Sequence, residues 1–164
     1  MANICSNEIT FNASPEAITW LQDELSEITN ISDYALETKA VMDKFSGDDS
    51  FGYKSLGSKY VYIYDFHRNT ENELSIACES AWNCPTIMIE QITNMLIEKS
   101  PDYPVKTNGR YWEEGVGFLG VFTCDKDGYK FVQEEFPAEY YESNDEDLDL
   151  IEMLEPIFIR LELN

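Results

Sequence analysis

The chain is 164 residues long, 43% apolar and 13% aromatic, with 32 Asp and Glu against 11 Lys and Arg for a formal net charge of −21. That length fits one domain with at most an elaboration, and that apolar and aromatic content argues against disorder. The charge argues against direct binding to DNA, RNA or an anionic lipid surface and favours basic protein surfaces and cations as partners, while no apolar run approaches the roughly 20 residues of a membrane span.

NICSNEITFN reads as a first strand with Ile9 and Phe11 on one face. SPEAITWLQDELSEI reads as a helix, with Ser14 as N-cap, Pro15 at the first position and Glu16 suited to the dipole. Ile18, Leu21, Leu25 and Ile28 recur at three- and four-residue spacing and give it one buried face. Within an insert at about 30–58, ALETKAVMDKF suits a short helix and SGDDSFGYKSLGS a loop. KYVYIYDF reads as a strand in which Val61, Ile63 and Asp65 alternate with Tyr60, Tyr62 and Tyr64. It pairs with ELSIACES as a hairpin across Asn69-Thr70-Glu71-Asn72.

CPTIMIEQITNMLIEK predicts a second helix, with Pro85 at its first position and Met88, Ile89, Ile92, Met95 and Leu96 as its apolar stripe. The stretch before it, ESAWNCP, reads as a joint: Trp82 fills the core, and Asn83 or Cys84 caps the helix. A cysteine at a helix N-terminus can have a lowered pKa. Residues 105–135 read as a meander with turns near Glu114-Gly115 and Asp127-Gly128. The tail predicts a short helix around 145–154 and a last strand, IFIRLEL. Two amphipathic helices on one face of an antiparallel or mixed sheet make an α+β sandwich.

The N-terminus, MANICSNEIT, has neither a basic n-region nor an apolar h-region, so no secretory leader is expected. The expected compartment is cytoplasm, where Cys5, Cys78, Cys84 and Cys124 are reduced thiols. They lack Cys-x-x-Cys spacing, so small buried hydrophobes are their default role and no zinc site is expected. His67, the one histidine, has no nucleophile that sequence can place beside it, which makes a triad a thin case. DKDG at 125–128 begins like a calcium loop, but Tyr129 and Phe136 stand where ligands are needed, so it reads as a turn. Glu113 and Glu114 point to opposite faces of a strand, which argues against a shared acid–base site. Gly115, Gly117 and Gly120 have no helix after them to cradle a phosphate.

The acidic segment is the strongest functional hint. Ten acids stand at Glu134, Glu135, Glu139, Glu142, Asp145, Glu146, Asp147, Asp149, Glu152 and Glu155, with no Lys or Arg between them. Spaced carboxylates can stand in for phosphates, and tyrosines can anchor an interface. The candidate partner-binding set is therefore Glu134, Glu135, Glu139, Tyr140, Tyr141, Glu142, Asp145, Glu146, Asp147 and Asp149. Leu148, Leu150, Ile151 and Leu154 suggest that this segment folds against something. The alternative is a solvated acidic face.

Three stretches together carry a resemblance. NICSNEITF resembles the opening Asn-x-Cys-x-Asn strand of the YubB-like ferredoxin-like domains of phages and plasmids. ACESAWNCP resembles their strand-to-helix joint, with Cys84 where the family has another small residue or proline. RYWEEGVGFLGVF resembles their Tyr-x-Glu-x-Gly-x-x-Phe-x-Gly strand pair. The matches span most of residues 3–124. They imply a ferredoxin-like domain over 1–133, to which 134–164 adds an acidic helix and strand packed on the same domain. They also imply a mobile-element origin and offer no established catalytic residues to carry over; the acidic part from about 134 lies outside the resemblance, and no cofactor is expected.

Charge and resemblance together predict a non-enzymatic protein of the host-cell cytoplasm. It would bind and inhibit a basic, nucleic-acid-handling host protein or defence complex, with nucleic-acid mimicry as one route. The alternative is a structural or accessory interaction module whose acidity serves solubility, and homo-oligomerisation is left open. A metal-dependent or thiol enzyme is the third class.

Overall fold

The computed structural model describes residues 3–29, 31, 33–46, 53–138 and 150–162. The elements are β1 (Ile4–Asn12), α1 (Pro15–Ile28), α2 (Tyr34–Phe45), the single turn α3 (Tyr53–Leu56), β2 (Val61–Thr70) and β3 (Glu73–Ala81). They continue with α4 (Thr86–Lys99), β4 (Lys106–Glu113), β5 (Phe118–Asp125), β6 (Gly128–Glu135) and a last helix, here α5 (Leu150–Glu162). The fold is α+β. Six strands form one sheet in the order β2-β3-β1-β4-β5-β6, and every neighbouring pair is antiparallel, with no mixed pairing.

Alternation along the strands sorts the sheet into two faces. Cys5, Asn7, Ile9 and Phe11 of β1, with Leu74, Ile76, Cys78 and Ser80 of β3, are buried on the inner face. Against it lie Ile18, Leu21, Leu25 and Ile28 of α1 and Met88, Ile89, Ile92 and Leu96 of α4, the two stripes expected from spacing. Met95 is only partly buried at the rim of that core. α1 starts as its sequence dictates: Ser14 Oγ accepts the Ala17 N–H, and Pro15 opens the helix. Ser100, just past α4, donates from its Oγ to Ser14 Oγ, so one helix ends where the other begins.

α2, the short helix expected over ALETKAVMDKF, adds Val41, Met42 and Phe45 to the core between the two main helices and the sheet edge, and α3 adds Leu56 where a loop was expected. Trp20 of α1 meets Phe45 edge-on, with Lys99 4.4 Å above its ring. β2 departs from simple alternation. Val61 and Ile63 point inward, but the register breaks between Ile63 and Asp65. Tyr64 is the extra residue of a bulge, so Asp65 is exposed and Phe66 packs against the core. The strand runs past Phe66 to Thr70, which takes His67 into it and leaves only Glu71 and Asn72 as the turn.

The expected final strand is a helix. Ile151, Leu154, Phe158 and Leu161 recur at three- and four-residue spacing, and Leu154, Phe158 and Leu161 are buried while Ile159 is half exposed. They pack on Trp112, Leu119, Val121 and Phe136, on the outer face of the sheet. The alternation inside IFIRLEL is a short run that the longer helical period overrides. Pro156 lies inside this helix on its exposed side. The acidic tail thus contributes a third layer on the face opposite α1, α2 and α4.

Candidate functional site

The three stretches that carry the family resemblance meet at one end of the sheet. Asn7, wholly buried, donates from Nδ2 to Ser80 Oγ at 2.9 Å and to the Cys5 carbonyl at 2.8 Å. Ser80 Oγ in turn donates to the Asn83 carbonyl at 2.7 Å. Beside it Ser58 Oγ donates to the Ala81 carbonyl and accepts the Ala81 N–H, at 2.8 and 2.9 Å. Trp82 donates its backbone N–H to the Asn3 carbonyl. The third stretch closes on Glu113, which is buried. Its two carboxylate oxygens accept the Gly115 and Val116 N–H groups at 3.0 and 2.6 Å and hold the β4–β5 turn. Glu114, next to it, is exposed, so the two acids share no site.

Three expectations for the joint are corrected. Trp82 does not fill the core: it is 41% exposed and sits at φ +74°, in the left-handed region. The chain turns sharply between β3 and α4, and this residue takes up the turn. Pro85 is the N-cap, not the first helical residue, and neither Asn83 nor Cys84 supplies a side-chain cap. Gly57, at φ +80°, lies so close to the helix start that a Cβ there would be 2.7 Å from Thr86 Oγ1.

Between this joint and the inner face of β4–β6 lies a cleft of about 220 Å³ lined by Cys84, Thr86, Tyr111, Tyr129 and Gln133. Gly120 makes room for the Tyr111 ring at its edge, since a Cβ there would meet that ring at 2.5 Å. Tyr129 O–H donates to Cys84 Sγ at 3.6 Å, and Tyr111 O–H donates to Gln133 Oε1 at 3.0 Å. Burial pushes the Cys84 thiol well above its ordinary range, against the smaller pull of the Tyr129 hydrogen bond. Burial also raises both tyrosines. The helix-terminus lowering considered for Cys84 is therefore reversed, because desolvation disfavours the thiolate more than the helix end favours it. The cleft presents neutral donors and acceptors, a thiol, two phenols, a hydroxyl and an amide.

The other candidates separate in space. All four cysteines are free and buried. Burial drives Cys5 up to about 12 and raises Cys78 and Cys124 as well. Among the described residues no group of three or more His, Cys, Asp or Glu could hold a metal ion. His67 is exposed on β2, opposite Ser75. DKDG is a tight turn in which Asp125 Oδ1 accepts the Asp127 N–H and Gly128 adopts φ +98°. Of the acidic set, Glu134 pairs with Arg160 of α5 on the outer face, and Glu135 is exposed on the other side of the strand. Glu139, Tyr140, Tyr141, Glu142, Asp145, Glu146, Asp147 and Asp149 lie outside the described residues. Glu155 and Glu8 both grip Arg110, at 2.6 and 2.5 Å.

Sequence reading missed two features. Glu37 is buried under β2, where its carboxylate accepts the Ile63 N–H at 2.7 Å and burial pushes its pKa up to about 7. The signal was present: Glu37, Val41 and Phe45 share one helical face at four-residue spacing. The second is a cleft of about 460 Å³ on the outer face, where Lys106, Asn108, Thr123 and Lys130 meet Val121 and Leu161.

No family model, curated protein or solved structure matches the chain.

Proposed function

We propose that this chain is a non-enzymatic interaction protein of a phage or other mobile element, which binds and inhibits a basic, nucleic-acid-handling host protein or complex. The observation that carries this reading is charge and its placement. At a net charge of −21, Glu37 and Glu113 are the only buried acids among the described residues. The other described carboxylates are at least partly exposed, and although some are paired, as Glu8 and Glu155 are with Arg110 and Glu134 is with Arg160, acids outnumber cations 32 to 11, so the surface as a whole presents an anionic field to a basic partner. Such a field accelerates encounter with a cationic partner and repels nucleic acid.

The ferredoxin-like assignment is part of the proposal. With α2 and α3 inserted after α1, β1, α1, β2, β3, α4 and β4 come in this order and with strand order β2-β3-β1-β4, the arrangement of a split β-α-β unit. On this reading β5, β6 and α5 elaborate that unit. The mobile-element origin rests on the resemblance of the three stretches that meet at the joint.

Affinity capture from host lysate tests the function. A nucleic-acid-binding partner should be retained at about 50 mM NaCl and released at about 500 mM, as screened charge contacts are. Replacing Glu142, Asp145, Asp147 and Asp149 by their amides should weaken that capture about tenfold or more while leaving the circular dichroism unchanged. Capture indifferent to salt and to these four changes would point instead to the accessory module.

A further inference from the structure

An open six-stranded sheet has two edges, and this protein treats them differently. At β2 the Glu37 carboxylate accepts the Ile63 N–H, and Thr38 Oγ1 donates to the Val61 carbonyl at 3.1 Å. Two register breaks and an exposed Asp65 complete the guard. These are the ways in which folded proteins close an edge to further strands.

β6 carries exposed charges in Lys130 and Glu135, but it has neither the register breaks nor the side-chain bonds to its backbone among the described residues. Its eight residues pair one-to-one with β5 without a break. Phe131 and Val132 at its centre are 60% and 46% exposed. Among the described residues no side chain or loop hydrogen-bonds to its backbone. The outward groups can be assigned. The hairpin closes on Asp125 and Gly128, and at the far end Phe136 N–H bonds the Gly117 carbonyl. Counting in twos along an antiparallel ladder, Gly128, Lys130, Val132 and Glu134 turn their backbone groups to β5. Tyr129, Phe131, Gln133 and Glu135 turn theirs outward.

The sequence of the strand says what fits. In a two-fold antiparallel pairing, outward residues must face outward residues, so allowed registers differ by two. The register centred on Val132 sets Val132 against itself and Lys130 against Glu134 of the second copy, twice by symmetry. Both are non-hydrogen-bonded positions, where side chains approach closest. Lys130 is in no ion pair among the described residues, and Glu134 is held in place by Arg160. The neighbouring registers, centred on Phe131 or Gln133, lose both charge pairs.

We propose that β6 is a homodimerisation edge, through which two copies join their sheets by antiparallel pairing centred on Val132. It shares Glu134 and Glu135 with the acidic partner-binding set but does not rest on the inhibitor reading. It predicts an opposite response to salt, because two bodies of charge −21 repel through the solvent, whereas the close Lys130–Glu134 contacts are screened less.

Sedimentation equilibrium of the full chain tests it. A dimer should form by about 100 μM and tighten between about 50 and about 500 mM NaCl. Gln133→Pro removes an outward N–H and no bond to β5, so it should abolish the dimer and leave the circular dichroism intact. Lys130→Glu should weaken the dimer about tenfold, and Lys130→Glu with Glu134→Lys should restore it. A chain that stays monomeric at about 100 μM in high salt overturns the proposal. So does a dimer that tolerates Gln133→Pro, or one weakened by Lys130→Glu that the double exchange fails to restore.

Discussion

Trp82 and Glu37 are the two residues whose surroundings differ most from what their types suggest. A tryptophan between a strand and a helix is an obvious core candidate, yet Trp82 is exposed and in the left-handed region, which costs an L-residue about 1–2 kcal/mol. Trp82→Gly should therefore change stability by less than about 1 kcal/mol in urea unfolding, against the roughly 3–5 kcal/mol of a core tryptophan. Glu37 carries a pH dependence. Its folded pKa of about 7 is above the ordinary 4.5, so the folded state binds the extra proton between those values. Its contribution is full below about 4.5 and is lost as pH rises through about 7. Glu37→Gln, whose amide oxygen can still accept the Ile63 N–H, should flatten that fall by on the order of 2 kcal/mol. Thermal unfolding across this range in both proteins measures it. Neither feature was legible from composition, because both depend on where a neighbouring element passes.

Among the elements, β1, α1, α4, the β2–β3 hairpin and the β4–β6 meander were legible, because a single period runs through each. Where two periods compete, the reading failed. In residues 157–163 a short alternation overlies a helical repeat that starts at Ile151. Only packing on Trp112, Leu119 and Val121 decides between them. The consequence is testable: Phe158→Ala should cost about 3–5 kcal/mol, and Ile159→Ala, two-residue alternation notwithstanding, less than about 1 kcal/mol. A strand would bury Ile159 with Ile157 and Leu161 and reverse that order. The bulge at Tyr64 was illegible for a related reason. KYVYIYDF alternates without fault, and the break arises from how β2 must follow both β3 and α2. At the candidate site the motif residues were recognised as a set. That Asn7, Ser80 and Glu113 hold a joint together was not, since hydrogen bonds across the sheet leave no spacing signal.

For the whole molecule, charge was the legible quantity and shape the hidden one. The acidity is plain from composition. That helices line the inner face, that α5 packs on β4 and β5 at the outer face, and that β2 is guarded while β6 carries no such bonds among the described residues are products of topology. Two salt responses follow, and they separate the two kinds of association: capture of a basic partner weakens as ions are added, and pairing of identical acidic copies strengthens.

The three tryptophans fall in three different places. Trp20 is under Lys99 in the helical layer, Trp82 is at the solvent-facing joint, and Trp112 lies 6.1 Å from the Phe158 ring beneath α5. The chain therefore carries its own set of optical reporters. A variant keeping only Trp112 would glow blue while the last helix is docked and shift red when it lifts, without any label attached.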